Sequence, residues 1–263
     1  MLAYFSVAAD EDFWTEHWGS YSVDELVAIG RRSPLTTLIV NGLRDAGETR
    51  GIVIEAGCGL GQYVVLLRER GWRAVGADWS VDALSRCRQA TGVPVVAMDL
   101  GALAVKDGTV AAYVSLGVVE HDQAGPDAIL AEAGRVVAPG GVAIVSVPYL
   151  NGARRLGTPY LKRHARQIAA QGGRFYQYAF TRGELVTALA RHGFTVRACH
   201  PYDPARLLRR FLPAAGHARG GGPATAAEGP GGRGLAGLAR QLLYTEPFLR
   251  FFGHMLLAVA RKR

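Results

Sequence analysis

Three acidic side chains stand at the ends of three successive apolar runs in the first half of the sequence. Glu55 ends "GIVIE", Asp78 ends "RAVGAD" and Asp99 ends "VPVVAMD". Carboxylates attract cations and accept hydrogen bonds, so a ligand with ammonium, hydroxyl and amine groups would complement them. If the three runs are parallel strands, these side chains line one crevice at the carboxyl edge of the sheet, where open α/β sheets bind ligands.

The run that ends at Glu55 continues into a glycine-rich loop, "EAGCGLGQ", with Gly57, Gly59 and Gly61 at alternate positions. Glycine lacks a Cβ and tolerates positive φ, so such a loop lets a ligand approach the backbone closely. No lysine follows these glycines, which excludes a P-loop. The spacing is also one residue short of the dinucleotide pattern G-x-G-x-x-G, because Gln62 stands directly after Gly61.

A ligand consistent with these groups is S-adenosylmethionine, whose ammonium end suits Glu55 where a pyrophosphate would be repelled. Asp78 lies about 20 residues downstream, the usual offset for a carboxylate that binds ribose hydroxyls. Trp79 offers a flat face to the adenine, and Asp99 can accept from its exocyclic amine. We interpret Cys58 as a small residue that fits the loop, because no base stands beside it. The candidate cofactor-binding residues are Glu55, Gly57, Cys58, Gly59, Gly61, Asp78, Trp79, Asp99, Leu100 and Leu116.

Alternating strands and helices would position these residues. The predicted strands are "GIVIEA", "RAVGAD", "VPVVAMD", "VAAYVSLG" and "GVAIVSVPY", and helical patterns separate them. Strands that are apolar throughout predict a mostly parallel sheet covered by helices on both faces, an α/β fold. Ser22 with Glu25, and Thr181 with Glu184, are capping boxes that predict two helix starts. The segment "HMLLAVARKR" predicts a final strand.

Taken in order, these motifs resemble those of the class I, seven-stranded, Rossmann-like methyltransferases that use S-adenosylmethionine, especially the small-molecule branch. The resemblance is close over roughly residues 51–148 and looser over "FTRGELVTALARHGFTV" and "GHMLLAVARKR". It implies a seven-stranded sheet, with "EAGCGLG" as the first cofactor motif. It also implies an enzyme of class EC 2.1.1.- that methylates a hydroxyl, amine or carbon of a small acceptor by in-line displacement.

The domain organisation predicted with this resemblance has three parts. Residues 1–45 form an N-terminal helical lid, and residues 46–203 with 253–263 form the cofactor-binding core. Residues 204–252 form a basic and apolar helical insertion before the last strand, with a Gly/Ala/Pro-rich linker at about 213–234.

His121 is the candidate general base for the acceptor's proton, because it is the only histidine within these motifs. The alternative is that Glu120 and His121 only shape the pocket floor. In some metal-dependent relatives a second glutamate precedes this pair by three positions. That position is Gly117 here, so we expect no metal site.

The charge of the chain is strongly asymmetric. Residues 1–150 hold 11 Lys/Arg and 18 Asp/Glu, a net −7, whereas residues 151–263 hold 19 and 4, a net +15, and the two sum to the overall +8. Arginines among tyrosines in the basic half suit a substrate with a carboxylate or phosphate, and the alternative is a solvated surface. The candidate substrate residues are Tyr149, Arg154, Arg155 and Tyr160, with Lys162 and Arg163 nearby.

The insertion at 204–252 is interpreted either as a helical cap on the sheet or as a peripheral membrane contact, which would imply a lipid-linked or amphiphilic acceptor. No nucleic acid is expected as a partner, since no recognisable nucleic-acid module accompanies the positive charge. The lack of a long apolar run and of a basic signal region predicts a cytoplasmic protein, either free or membrane-peripheral. The alternative functions are an NAD-dependent oxidoreductase and a non-catalytic S-adenosylmethionine-binding regulatory protein.

Overall fold

A seven-stranded sheet organises the protein. The computed structural model describes residues 1–6, 18–44, 51–204 and 242–263. Its strands are β1 (Leu2–Ser6), β2 (Ile52–Ala56), β3 (Arg73–Asp78), β4 (Val95–Ala97), β5 (Val110–Leu116), β6 (Val137–Pro148), β7 (Arg174–Ala179), β8 (Phe194–Tyr202) and β9 (Met255–Lys262). The sheet has the order β4-β3-β2-β5-β6-β9-β8, and β9 runs antiparallel to both its neighbours. The α/β class, the mostly parallel sheet and the predicted last strand are confirmed.

Helices cover both faces of this sheet. They are α1 (Val23–Arg32), α2 (Pro34–Arg44), α3 (Gln62–Glu69), α4 (Val81–Thr91), α5 (Asp127–Val136), α6 (Gly152–Leu156), α7 (Thr158–Ala170), α8 (Arg182–Arg191) and α9 (Glu246–Phe252), with one 3-10 turn at Val119–His121. Buried residues of α1 to α4 share one apolar cluster with one face of the sheet, and those of α5 and α8 share a second cluster with the other face. Most residues of β5 and β6 are buried because both faces of the sheet are covered.

Both predicted capping boxes are present. The Glu25 N–H donates to Ser22 Oγ at 3.2 Å, and the Ser22 N–H donates back to the Glu25 carboxylate at 3.4 Å. At α8 the Thr181 N–H donates to Glu184 at 2.8 Å, and the Glu184 N–H donates to Thr181 Oγ1 at 3.2 Å. Each pair satisfies amide groups that the first helical turn leaves unbonded, which explains why α1 and α8 begin where they do.

The N-terminal region differs from the predicted helical lid. Residues Leu2–Ser6 form a strand, β1, which pairs with β7 as a separate two-stranded antiparallel sheet. Helices α1 and α2 bury Leu26, Ile39 and Leu43 against the main sheet, so they form part of a packed layer. The prediction was wrong for β1 because its pairing partner lies about 170 residues away in the sequence, where no local pattern shows it.

The predicted insertion at 204–252 falls largely outside the described residues, because residues 205–241 are not among them. Its described part contains α9, which leads directly into β9. The boundaries 1–45, 46–203, 204–252 and 253–263 therefore stay predictions. Among the described residues, no helix combines the length and the apolar character needed to cross a membrane.

Candidate functional site

The glycine loop leaves the sheet at the point where strand order reverses. The chain passes from β2 outward to β3 and β4, and then returns across β2 to β5. The N–H groups of Gly57 and Cys58 donate to the Ala77 carbonyl at 2.7 and 3.2 Å, which ties the loop to the end of β3. The Gly61 N–H donates to the Cys58 carbonyl at 2.8 Å, and α3 begins at the next residue. A crevice at such a switch point is where open α/β sheets hold ligands.

Asp78 fixes the shape of this loop. It is buried at the end of β3, where Oδ2 accepts from the Gly59 N–H at 2.7 Å and Oδ1 accepts from the Ser80 N–H at 3.0 Å. The carboxylate thus joins the glycine loop to the start of α4. A carboxylate has about four acceptor positions, so lone pairs remain for ribose hydroxyls after these two bonds. The role of Asp78 in binding the ribose stays a prediction.

The three loop glycines have positive φ values, 80° at Gly57, 50° at Gly59 and 71° at Gly61. A Cβ at Gly57 would lie 2.2 Å from the Val118 side chain, and one at Gly59 would lie 2.5 Å from the Trp18 ring. The prediction explained these glycines by close approach of a ligand. In the structure the space beside each of these two is already filled by protein, so packing is a further reason for glycine there.

Cys58 lies within the loop as a buried thiol with its sulfur packed against Gly76. Burial raises the pKa of this thiol, and the nearby carboxyls of Glu55 and Asp78 raise it further. The thiolate that a nucleophilic cysteine needs is therefore disfavoured. This agrees with the interpretation of Cys58 as a residue that fits the loop.

Glu55 presents a buried carboxyl at the end of β2. It is 2% exposed, and burial raises its pKa well above the ordinary value, although the Val64 N–H donates a hydrogen bond that opposes the shift. Its Oε2 has no hydrogen-bond partner within the described part of the chain. A buried polar atom without a partner costs free energy. A cationic ligand group in the crevice would remove this cost, so the site fits the ammonium end of S-adenosylmethionine.

The other candidate cofactor residues stand at neighbouring strand ends. Trp79, directly after β3, is 60% exposed, and Asp99, two residues after β4, is exposed with Oδ1 accepting from the Gly101 N–H at 2.8 Å. The Met98 N–H donates to the Asp78 carbonyl at 2.9 Å, which brings the ends of β3 and β4 together. Leu100 is buried in the core, and Leu116 ends β5 partly buried. Their roles toward the cofactor stay predictions.

An N-terminal contact at the loop was missed by sequence reasoning. The Arg86 guanidinium of α4 donates to the carbonyls of Trp18 and Tyr21 at 2.8 and 2.7 Å. These bonds hold the residues before α1 beside the glycine loop, where the Trp18 ring lies against Gly59. The aromatic residues near the N-terminus gave a weak signal, but nothing in the sequence marks Arg86 as their anchor.

His121 is held in one orientation by the two-stranded sheet. Its Nδ1 lies 2.7 Å from the Tyr176 carbonyl of β7, and its ring meets the Tyr176 ring edge-on at a centroid distance of 5.3 Å. A carbonyl can only accept, so Nδ1 carries the proton. In the neutral imidazole, Nε2 is then the basic nitrogen.

Glu120 is a second buried carboxyl that the sequence did not single out as a functional group of its own. It is 1% exposed in the turn after β5, and burial raises its pKa to about 8. Its Oε2 also has no hydrogen-bond partner among the described residues. The nearby Tyr202 hydroxyl lies 3.0 Å from Ser146 Oγ, and burial is the main cause that raises the pKa of this phenol. The Ser146 and Tyr202 hydroxyls therefore lie together near the ends of β6 and β8, close to the turn that carries Glu120.

The candidate substrate residues divide into structural and exposed ones. The Arg154 guanidinium donates to the Tyr149 carbonyl at 2.6 Å, and one of its nitrogens lies 2.6 Å from His254 Nδ1. It therefore joins the end of β6 to the residue before β9. Arg155 and Tyr160 are exposed on α6 and α7.

Within the described residues, no group of three or more His, Cys, Asp and Glu side chains is arranged to hold a metal ion.

The sheet order, the glycine loop and the acidic strand ends are those of a Rossmann-like α/β fold, as the resemblance to S-adenosylmethionine-dependent methyltransferases predicts. Residues 54–145 match the family model of the methyltransferase domain. A curated protein of Mycolicibacterium smegmatis, named a probable S-adenosylmethionine-dependent methyltransferase, is 32% identical over 122 residues, which are 45% of this chain and 46% of that protein. The match thus spans about half the length of the relative.

Two solved structures share the fold. The candidate methyltransferase in complex with the Haloferax volcanii Trm112 methyltransferase activator has a TM-score of 0.58 and 18% identity, over 98% of this chain and 97% of that one. Geranyl diphosphate C-methyltransferase from Streptomyces coelicolor A3(2) has a TM-score of 0.55 and 17% identity, over 86% of this chain and 76% of that one. Together with the domain match, these similarities confirm the predicted resemblance to class I methyltransferases, and they support S-adenosylmethionine as the cofactor.

Proposed function

We propose that this chain transfers the methyl group of S-adenosylmethionine to a hydroxyl, amine or carbon of a small acceptor. The observation that carries the proposal is the buried Glu55 carboxyl, whose Oε2 has no partner among the residues that the structure describes, beside a glycine loop anchored on Asp78. A cation binds favourably to such a group, whereas a pyrophosphate would be repelled. Nicotinamide dinucleotides are therefore the less suitable ligands for this crevice.

Each strand end would hold a different part of the cofactor. Glu55 would accept from the ammonium group, and Asp78 would use its remaining lone pairs for the ribose hydroxyls. The exposed Trp79 would cover the adenine, and Asp99 would accept from its amine. The Trp18 ring, fixed beside Gly59 through Arg86, would help to exclude water from the loop.

The cofactor, when bound, supplies a methyl group that is already activated by the positive sulfonium. The protein then contributes mainly by holding the acceptor in line and away from water. A hydroxyl or amine acceptor must lose a proton, and two groups could take it: His121 through Nε2, or Glu120 through Oε2. We favour Glu120 as the general base, because burial raises its pKa to about 8, close to a neutral working pH.

For the acceptor we propose an anionic or amphiphilic small molecule. Arg155 and Tyr160 are exposed at the side of the protein where β6 ends, and a guanidinium binds carboxylate or phosphate groups well. The Streptomyces coelicolor neighbour acts on geranyl diphosphate, which joins an apolar chain to an anionic group. This likeness supports the class of acceptor without identifying it. A cytoplasmic or membrane-peripheral location stays a prediction that suits such an acceptor.

Calorimetry on the full chain tests the cofactor first. We expect binding of S-adenosylmethionine and of S-adenosylhomocysteine, and none of NAD. The chain is then incubated with cell extract and methyl-labelled cofactor, and labelled molecules are separated by their partition into lipid solvent. Binding of NAD alone would reject the proposal, and cofactor binding without any labelled product would favour a non-catalytic regulatory protein.

A further inference from the structure

Three helices at one side of the protein bury almost no side chain. Helices α6 and α9 contain no buried residue, and α7 buries only Ala165. Helix α6 packs against both α7 and α9, and the Phe251 ring lies 2.4 Å from where a Cβ on Gly152 would be. The three helices therefore form one continuous surface, called here the α6–α7–α9 surface.

Large apolar side chains on this surface face the solvent. Leu156 is 76% exposed, Tyr160 is 70% exposed and Phe251 is 39% exposed. Helix α9 also carries Phe248 and Phe252, whose rings pack on each other at 4.7 Å while neither is buried. Single exposed apolar residues are common, but several on adjoining helices indicate a surface that binds a protein, a membrane or a ligand.

Cations that pair with no acidic side chain of the described residues stand among these apolar groups. Lys162, Arg163 and Arg166 are exposed on α7, and their side chains form no ion pair within the described part of the chain. Residues 151–183 contain seven Lys/Arg and no Asp or Glu. No acidic side chain of this segment can therefore neutralise them, and the charge is available to an anionic partner.

We propose that the α6–α7–α9 surface docks on an anionic phospholipid membrane. Exposed leucine and aromatic side chains next to lysine and arginine match the boundary between acyl chains and anionic headgroups. Nucleic acid would use the cations and could stack on Tyr160, but it offers no apolar phase for Leu156 and Phe251. The proposal goes beyond methyl transfer and does not depend on it, since the α6–α7–α9 surface could dock whatever reaction the crevice performs.

Vesicle flotation of the full chain tests this proposal. The vesicles are made either of phosphatidylcholine alone or of equal parts phosphatidylcholine and phosphatidylglycerol. We expect binding only to the second kind, with a loss of about a hundredfold in K162Q/R163Q/R166Q, since each cation contributes about 1 kcal/mol, and a smaller loss in L156S. The matched control R44Q/R73Q/K106Q removes three exposed cations outside the three helices, and its binding should stay within about twofold of wild type. S-adenosylhomocysteine binding and thermal unfolding of each variant report whether it is folded.

The proposal would be overturned if the wild-type chain bound no vesicles or bound both vesicle types equally. It would also be overturned if the two triple variants lost equal affinity, or if the chain bound an RNA oligonucleotide and no vesicles. Self-association in analytical ultracentrifugation that L156S abolishes, without vesicle binding, would assign the surface to a second copy of the chain and also overturn it. None of these results bears on cofactor binding or label transfer, so the proposed function would fail separately.

Discussion

The acidic and the basic halves of this protein place their charges in opposite environments. Glu55 and Glu120 are almost fully buried at the carboxyl edge of the sheet, and each has an oxygen without a partner among the described residues. Lys162, Arg163 and Arg166 stand in solvent on α7. A buried carboxyl loses its hydration, which costs much free energy, whereas an exposed ammonium or guanidinium stays hydrated and contributes little to stability. Substitutions should therefore have large effects at the buried acids and small ones at the exposed bases.

The largest effect is expected at Glu120. Burial raises its pKa from the ordinary 4.5 to about 8, so the folded state keeps a proton that the unfolded state has already released. The free energy of unfolding should therefore fall as pH rises from about 4.5 to about 8, by about 4 kcal/mol from this group. E120Q does not titrate and should lack this part of the decline. Urea denaturation at several pH values checks it, and parallel curves for the two proteins would contradict it.

Asp78→Ala should weaken S-adenosylhomocysteine binding by about a hundredfold, because bonds to a charged acceptor contribute about 1.5–3 kcal/mol each. The substitution removes the acceptor for the N–H groups of Gly59 and Ser80, so the glycine loop loses its anchor. Calorimetry measures the loss. D78N keeps one acceptor oxygen and should lose less, and an unchanged affinity in D78A would show that the loop shape does not depend on this residue.

Glu55→Gln should weaken S-adenosylhomocysteine binding by about tenfold, since the glutamine cannot pair with an ammonium as a charge. Because burial raises the pKa of Glu55, the wild-type carboxyl must ionise to bind the cation. Wild-type affinity should therefore increase with pH, and E55Q should lose that dependence. Calorimetry at about pH 6 and at about pH 8 separates the wild-type protein from E55Q. A steep pH dependence that persists in E55Q would assign it to another group.

The smallest effect is expected at the exposed bases. K162Q/R163Q should change the free energy of unfolding by less than about 0.5 kcal/mol, because both side chains are solvated and form no ion pair with described residues. Urea denaturation at neutral pH measures it. A loss of several kcal/mol would break the contrast between the buried acids and the exposed bases.

Features that depend on local sequence were predictable. The apolar strands β2, β3, β5 and β6 and the capping boxes at Ser22 and Thr181 carry their own signals, because burial and hydrogen bonding act within a few residues there. The glycine loop was likewise placed correctly after β2. The predicted order of acidic residues along the strand ends follows from the parallel sheet itself.

Features that join distant segments were not predictable. Strand β7 had a signal in "FYQYA", where aromatic residues recur as in a strand, but its partner β1 lies far away in the sequence. Arg154 was predicted to bind substrate, yet its guanidinium holds Tyr149 and His254, whose positions are known only once the sheet has formed. The burial of the Glu120 oxygen that has no partner in the described part of the chain is equally a property of the packed state.

The pairing of β1 with β7 also bears on the order in which the protein folds. The Tyr176 carbonyl orients His121, and Tyr176 lies in β7, whose pairing partner is β1 at residues 2–6. Contacts between segments so far apart in the sequence form slowly, because the long chain between them must lose conformational entropy before the contact is made. We expect the histidine side of the crevice to become ordered after the central strands have already assembled.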